Sequence, residues 1–371
     1  MSRAAARIRP ERNAQAQARL DASGVPTRRI EEWKYSDLKA ALGEPGIGGA
    51  MAEWLIDELP YGIELFDLSQ PNPPAWVIAH FGASADNAMS AASLVLAAGG
   101  VALRVPAGFV AEQPMKLDFA GMGHVRGLLV LEDGASLTLV EGTGVADFRN
   151  VGFEIVLGAN SSLQHVRQSA PAPNAVLVEE IALTLASNAT YKAHFASFGG
   201  KLSRVELEIA LAGTGAAAHL SGVSVLNGLH ADVTTHVVHA VGGTESTQLF
   251  KHVATGAGRA VYQGKVTVAK GADGSDSRQT AKALLLGDRA EADLKPELEI
   301  LADDVKCAHG AAVGDMDGES LFYLRARGIP EGEARRLLLR AFLEDALAEI
   351  ADAALRDSVR GAVNDALEGM A

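Results

Sequence analysis

Apolar and polar residues follow three successive textures along the chain. From residue 1 to about 60 the spacing is helical: an Ala/Gln/Arg stretch runs to Leu20, breaks at Ser23-Gly24-Val25-Pro26, and resumes from Thr27 through Leu42. Thr27 stands as a capping residue ahead of the stripe Ile30, Trp33 and Leu38, and Trp33 and Tyr35 read as core anchors of this segment. A Pro-rich patch, Gln70-Pro71-Asn72-Pro73-Pro74, marks a boundary. From about 100 to 315 short β-branched or alternating runs take over, among them VALRV, GLLVL, SLTLV, FEIVL, AVLVEEIALTL and RVELEIAL, each ended by Gly, Asn or Asp, which predicts strands and turns. Helical texture returns after Gly318: LFYLRAR is stopped by Gly328, and Pro330 with Glu331 and Glu333 starts a second helix.

The strand region repeats itself. Leu137, Leu163, Tyr191 and Ala218 fall at equivalent places after Gly/Asn-containing corners, with separations of 26, 28 and 27 residues. A near-constant period of this size signals a solenoid, in which each rung buries its inward face only by stacking on its neighbours. The fold expected is mainly β: a right-handed parallel β-helix, the hand following from the crossover preference, flanked by N-terminal and C-terminal helical domains. The division is 1–85, 86–316 and 317–371. A β-sandwich with chance spacing is the alternative.

Composition narrows the function. With 33 basic against 46 acidic residues the net charge is −13, the wrong sign for neutralising phosphates, so no nucleic acid is expected. The longest uncharged run, SLVLAAGGVAL, is about half a bilayer span, so no membrane is expected either. The N-terminus lacks the apolar core of a secretory signal, which leaves the cytoplasm as the expected compartment. A single cysteine cannot form an internal disulfide or a four-thiolate metal site. The sequence has no G-x-x-x-x-G-K-[ST], GxSxG, HExxH or CxxC, so ATP hydrolysis and the common hydrolase and thiol-redox chemistries lack their motifs.

One run carries candidate chemistry: LKPELEILADDVKCAHGAAVG, residues 294–314. In an extended strand Cys307 and His309 point to the same face about 7 Å apart. Thiolate and imidazole are ligands that iron, zinc and copper accept, but two ligands are half a tetrahedral site. The plain alternative is a packed cysteine and a hydrogen-bonded histidine at a rung corner. Asp303 and Asp304, being adjacent, face opposite ways and suit a turn; Asp315 and Asp317 suit the start of the following helix. In LHADVTTHVVH, His230, Asp232 and His236 share a strand face and His239 takes the other; a polar solenoid face accounts for them better than a metal site.

The strings STQLFKHVATGAGRAVYQGKVTV, KPELEI–ADDVKC–HGA–G and LFYLR–RGI, with EEWKYSDL at Glu31–Leu38, resemble the SufB/SufD family of iron–sulfur cluster assembly proteins. The overall length and single cysteine are similar to its SufD branch. The resemblance implies a parallel β-helix with helical flanks, a scaffold rather than an enzyme, paired with SufB through the β-helix ends and binding the ATPase SufC through its C-terminal helices. It places His309 at the SufB interface opposite a SufB cysteine, with Cys307 in the same string, as candidate ligands of iron or a transient Fe–S cluster shared with SufB and not held firmly by this chain alone. It assigns SufC contact to Leu321, Phe322, Tyr323, Arg325, Arg327, Gly328 and Ile329. In isolation the same solenoid end would let two copies form a homodimer. Two other readings stand beside it: a purely structural solenoid oligomer, and a β-helix enzyme acting on acidic polysaccharide.

Overall fold

The structure, a computed structural model, describes residues 4–44, 46–48, 52–84, 86–144 and 147–370. The expected boundary residue Ala85 and the outermost residues of both helical segments lie outside them. The chain opens with α1 (Ala4–Ile8), α2 (Pro10–Ser23), a 3-10 turn at Glu31–Trp33 and α3 (Leu38–Leu42). Pro10 begins α2, where its missing N–H is an orphan in any case, and Gly24 at φ 62° ends it.

The helical texture expected to about residue 60 ends earlier, at β1 (Ala52–Ile56), which is followed by β2 (Glu64–Asp67), α4 (Ala75–His80) and α5 (Ala88–Leu96). The segment AEWLI pairs antiparallel with the first solenoid rung, Trp54 opposite Phe119, because an open sheet edge offers it backbone partners. α5 interrupts a stretch expected to be solenoid. Its run AMSAASLVL is short and apolar, a pattern that periodicity alone cannot assign, and Ala88 through Val95 are all buried.

The solenoid strands are β3 (Gly100–Val105), β4 (Met115–Gly121), β5 (Gly123–Leu131), β6 (Ser136–Thr143), β7 (Phe148–Leu157) and β8 (Ser162–Ser169). They continue with β9 (Val176–Leu185), β10 (Thr190–Ser197), β11 (Leu202–Leu211), β12 (Ala217–Asn227), β13 (His230–His239) and β14 (Glu245–Thr255). The last four are β15 (Arg259–Val268), β16 (Ser275–Leu286), β17 (Glu291–Ile300) and β18 (Val305–Gly314). They form two nine-stranded sheets, β1-β4-β6-β8-β10-β12-β14-β16-β18 and β17-β15-β13-β11-β9-β7-β5-β3-β2. All ladders are parallel except those of β1 with β4 and β2 with β3. This is a β-solenoid of about eight turns.

The expected repeat is literal. Leu137 pairs with Leu163, Leu163 with Tyr191, and Tyr191 with Ala218. At one corner a left-handed residue recurs in each of six successive rungs: Gly134, Asn160, Asn188, Gly215, Gly243 and Gly274. Gly and Asn tolerate this conformation best, which is why these corners punctuate the sequence. The two asparagines also stack, with Asn188 Nδ2 donating to Asn160 Oδ1 at 3.1 Å.

The inward faces of both sheets build one continuous core, from Val101 and Leu103 through Phe153, Phe195 and Phe250 to Val266. Helices cover the outer faces on opposite sides. α1, α2 and α5 bury Ala5, Ile8, Ala16 and Leu94, with Phe81 at the end of α4, against Leu128 and Val130 of one sheet. After α6 (Gly318–Ala326), the helices α7 (Glu331–Leu347) and α8 (Ala353–Glu368) bury Leu339, Leu343, Val359 and Val363 against Val166, Val223 and Val253 of the other. Among the described residues no helix is long and apolar enough to cross a membrane.

Candidate functional site

Cys307 and His309 lie on β18, whose ladder partner is β16 and beyond which the sheet stops. The column of inward residues starting at Leu137 passes through Ala218, Ser246 and Ser277 and ends at Cys307. A second column, from Leu139 through His165, Ala193, Leu220, Gln248 and Gln279, ends at His309. The two side chains therefore share the face expected of them, on a rung with no further rung above it. Cys307 is half-buried and packs, with Leu294, Leu298, Ala302 and Val305, against the end of the core. His309 is exposed. Neither sits deep inside the coil.

Burial pushes the Cys307 thiol up from its ordinary value, and Asp276 adds to this, while a hydrogen bond with the Ser277 backbone pulls the other way. The group rests as a protonated thiol, so any metal must displace its proton. Among the described residues no group of three His, Cys, Asp or Glu side chains is placed to hold a metal ion. The end rung offers one sulfur and one imidazole, an incomplete donor set.

The neighbouring acids do what their positions suggest. The backbone N–H groups of Asp303 and Asp304, in the turn before β18, both donate to Asp273 Oδ1 at 3.3 Å. Asp317 caps α6, accepting from the N–H groups of Glu319 at 3.1 Å and Ser320 at 3.3 Å. The histidine-rich strand β13 is a structural face. Ser36 Oγ donates to Asp232 and lies 3.2 Å from His230 Nε2, while His236 pairs with Glu208 at 2.9 Å. His239 points inward to Thr244 and Ser246 at 2.7 and 2.9 Å. Ser36 belongs to the EEWKYSDL string, which fastens the N-terminal segment to the solenoid: Glu31 pairs with Lys295, the Glu32 carbonyl accepts from Gln263, and buried Trp33 stacks 4.3 Å from the Arg204 guanidinium. Tyr35, expected in the core, is only half-buried, with Lys34 over its ring.

The expected partner-contact residues are on or just after α6, a helix with no buried residue. Phe322 and Tyr323 are 73% and 57% exposed, and Arg325 and Arg327 are exposed as well. Leu321 and Ile329 are half-buried, and Gly328 adopts φ 88° where the chain reverses into α7. A groove of about 830 Å³ runs along this helix, lined by Phe322, Tyr323, Leu324 and Leu338.

A polar network inside the solenoid lumen escaped the sequence reading. Arg167 is ion-paired to Glu179 and, at 3.7 Å, to Glu141, while His165 lies 3.1 Å from Glu141 and 3.0 Å from the Tyr191 hydroxyl, all of them buried. The signal was available: Arg167 shares the inward parity of Leu163, and Glu141 lies one rung below it.

Residues 116–342 match the family described as SUF system FeS cluster assembly, SufBD core domain. The chain is 30% identical to the iron–sulfur cluster assembly protein SufD of Escherichia coli, over 97% of this chain and 94% of that protein. It is 28% identical to an iron–sulfur cluster assembly SufBD family protein of Mycobacterium tuberculosis, over 94% and 91%. It is also 27% identical to SufB of Bacillus subtilis, over 70% of this chain and 58% of that protein.

Proposed function

Since the chain belongs to the SufB/SufD family of iron–sulfur cluster assembly proteins, we propose that it is the SufD-type subunit of a SufBCD complex, working in the cytoplasm as a scaffold. Its partner SufB docks on the open rung β18, and SufC, the ATPase of the complex, docks on α6 and the turn after it. Cys307 and His309 supply part of the ligand set for iron or a nascent cluster, which is cargo, and SufB supplies the rest. Isolated copies of this chain pair through the same rung.

The observation that carries this reading is the unfinished end of the solenoid. Leu294, Leu298 and Val305 are packed on one side only, next to a thiol and an imidazole that cannot complete a site by themselves. Backbone groups at a sheet edge also lack partners there. The exposed aromatic pair on α6 gives a separate apolar surface for a second protein. ATP-driven movement of SufC against α6 would reach the solenoid through α7 and α8, which are packed on its outer face.

The test is co-purification of this chain with the SufB and SufC proteins of its own organism, followed by iron and acid-labile sulfide analysis. His309→Ala should leave the three-protein complex intact and lower cluster yield at least about tenfold, as expected for loss of a metal ligand. Phe322→Ala with Tyr323→Ala should release SufC and retain SufB. Unchanged cluster yield in His309→Ala removes the site assignment, and failure of SufB to co-purify removes the complex.

A further inference from the structure

The column of inward side chains that ends at His309 holds two glutamines below it, Gln248 on β14 and Gln279 on β16. Their surroundings differ. Gln248 is buried, and its Oε1 accepts from Thr235 Oγ1 at 2.6 Å and from the Tyr262 hydroxyl at 2.9 Å. Gln279 is 1% exposed, and neither its Oε1 nor its Nε2 has a hydrogen-bond partner. A buried carboxamide unpaired at both atoms costs free energy, whereas an apolar side chain of the same shape does not. Packing alone does not account for an amide at this position.

The groups around Gln279 narrow the choice of partner. On its own strand the Ser277 hydroxyl is bonded to Ser246 at 2.9 Å, and Ala281 has no polar side-chain atom. Leu294 and Leu298 of β17 bring only apolar side chains to the end of the core. From the rung below, the unpartnered Gln248 Nε2 can use one of the two lone pairs of Gln279 Oε1. From the rung above comes His309, the ladder partner of Gln279, about 4.8 Å away across the strands and on the same face. His309 is exposed, and among the described residues its ring has no hydrogen-bond partner.

An imidazole that binds a metal through one nitrogen carries its proton on the other, and an acceptor on that N–H fixes both the tautomer and the ring orientation. In His309 the nitrogen nearer the backbone, and so nearer the rung below, is Nδ1; Nε2 is at the far end of the ring. We propose that Gln279 is a positioning residue for His309: its Oε1 accepts from His309 Nδ1–H and leaves Nε2 free to act as the ligand. This role rests on the reading of β18 as the cargo site, while the contact itself lies within this chain and needs no partner.

The test is long-range proton–nitrogen correlation spectroscopy on the full chain labelled with nitrogen-15 histidine, at pH 8, with His309 assigned by the signals lost in His309→Ala. The expected result is a His309 ring protonated mainly on Nδ1, against the Nε2–H form that a free histidine side chain favours. Gln279→Met, which keeps the volume and removes the amide, should return the ring to mainly Nε2–H, and Gln279→Glu, which keeps an acceptor, should retain Nδ1–H. The urea midpoint of Gln279→Met should be unchanged or higher, because an unpaired buried amide is lost. With SufB and SufC present, Gln279→Met should leave the complex intact and lower cluster yield about tenfold. Circular dichroism reports folding; if Gln279→Met is not folded, the wild-type and Gln279→Glu spectra decide. A wild-type His309 protonated mainly on Nε2, or a tautomer untouched in folded Gln279→Met, would overturn the proposal. So would an unchanged cluster yield in Gln279→Met where His309→Ala lowers it. An unchanged yield in His309→Ala itself removes the cargo site instead, and the tautomer then decides whether Gln279 holds the ring.

Discussion

Tyr191 and Cys307 occupy the same column of the solenoid, four rungs apart, and they do opposite work. In the middle, Tyr191 is buried beneath the next rung and joins a closed network with His165, Glu141 and Arg167. Toward the end the column thins to Ser246 and Ser277, whose hydroxyls lie 2.9 Å apart, and then to the half-buried thiol of Cys307. Inward-facing positions in a stacked coil are structural while another rung covers them. Where the stacking stops, the same positions become available for chemistry with a partner.

The strongest way to break this contrast is to remove Arg167. Arg167→Met leaves Glu141 buried without its cation, and the expected cost is about 3–5 kcal/mol in urea unfolding. A loss below about 1 kcal/mol would show that the lumen network is not structural.

Acidity probes the buried titratable groups, His165 and Glu179 of this network among them. Burial holds His165, His230, His239 and His252 down at about 4 and His194 at about 3, below the ordinary 6.5. The unfolded chain protonates these rings first, so stability is lost as pH falls from about 6.5 toward 4. Glu179 and Glu180, pushed up to about 8 by burial, act with the opposite sign: the folded protein keeps protons that the unfolded chain releases above about 4.5, and stability declines as pH rises toward 8. Five histidines outweigh two carboxyls below 6.5, and the carboxyls act alone above it. Urea midpoints measured from about pH 5 to 8.5 should therefore peak near 6.5; a steady rise through 8 would contradict the assignment.

The smallest expected effect sharpens the other side. Leu298→Ala, on the half-covered rung β17, should cost the isolated chain about 1 kcal/mol, against about 3–5 for Phe153→Ala in the covered core. The same Leu298→Ala change should weaken pairing with SufB, measured by co-purification. A large loss in the isolated chain would mean the end rung is already covered.

The repeat was legible because its corners need Gly or Asn in a left-handed conformation, which spaced Leu137, Leu163, Tyr191 and Ala218 as they stack. The shared face of Cys307 and His309 was legible from strand parity alone. The end position of their rung was legible too, because helical texture returns after Gly318 and leaves KCAHG in the last strand of the β region. Ser36 and Asp232 lie far apart in sequence, and no local pattern joins them; β1 is held by an edge that exists only after folding. Nor does any local pattern join Glu180, Glu206 and Glu208 to Ile30 and Trp33, which line one cavity with them.

Each turn of the coil adds one step of about 4.8 Å along its axis. The solenoid is thus a ruler as well as a scaffold, and its turn count sets how far the thiol stands from the opposite tip, roughly 35–40 Å for about eight turns. Gaining or losing a whole turn would preserve every inward and outward assignment and merely relocate the business end by one division. A slip of a single residue would turn the gauge inside out.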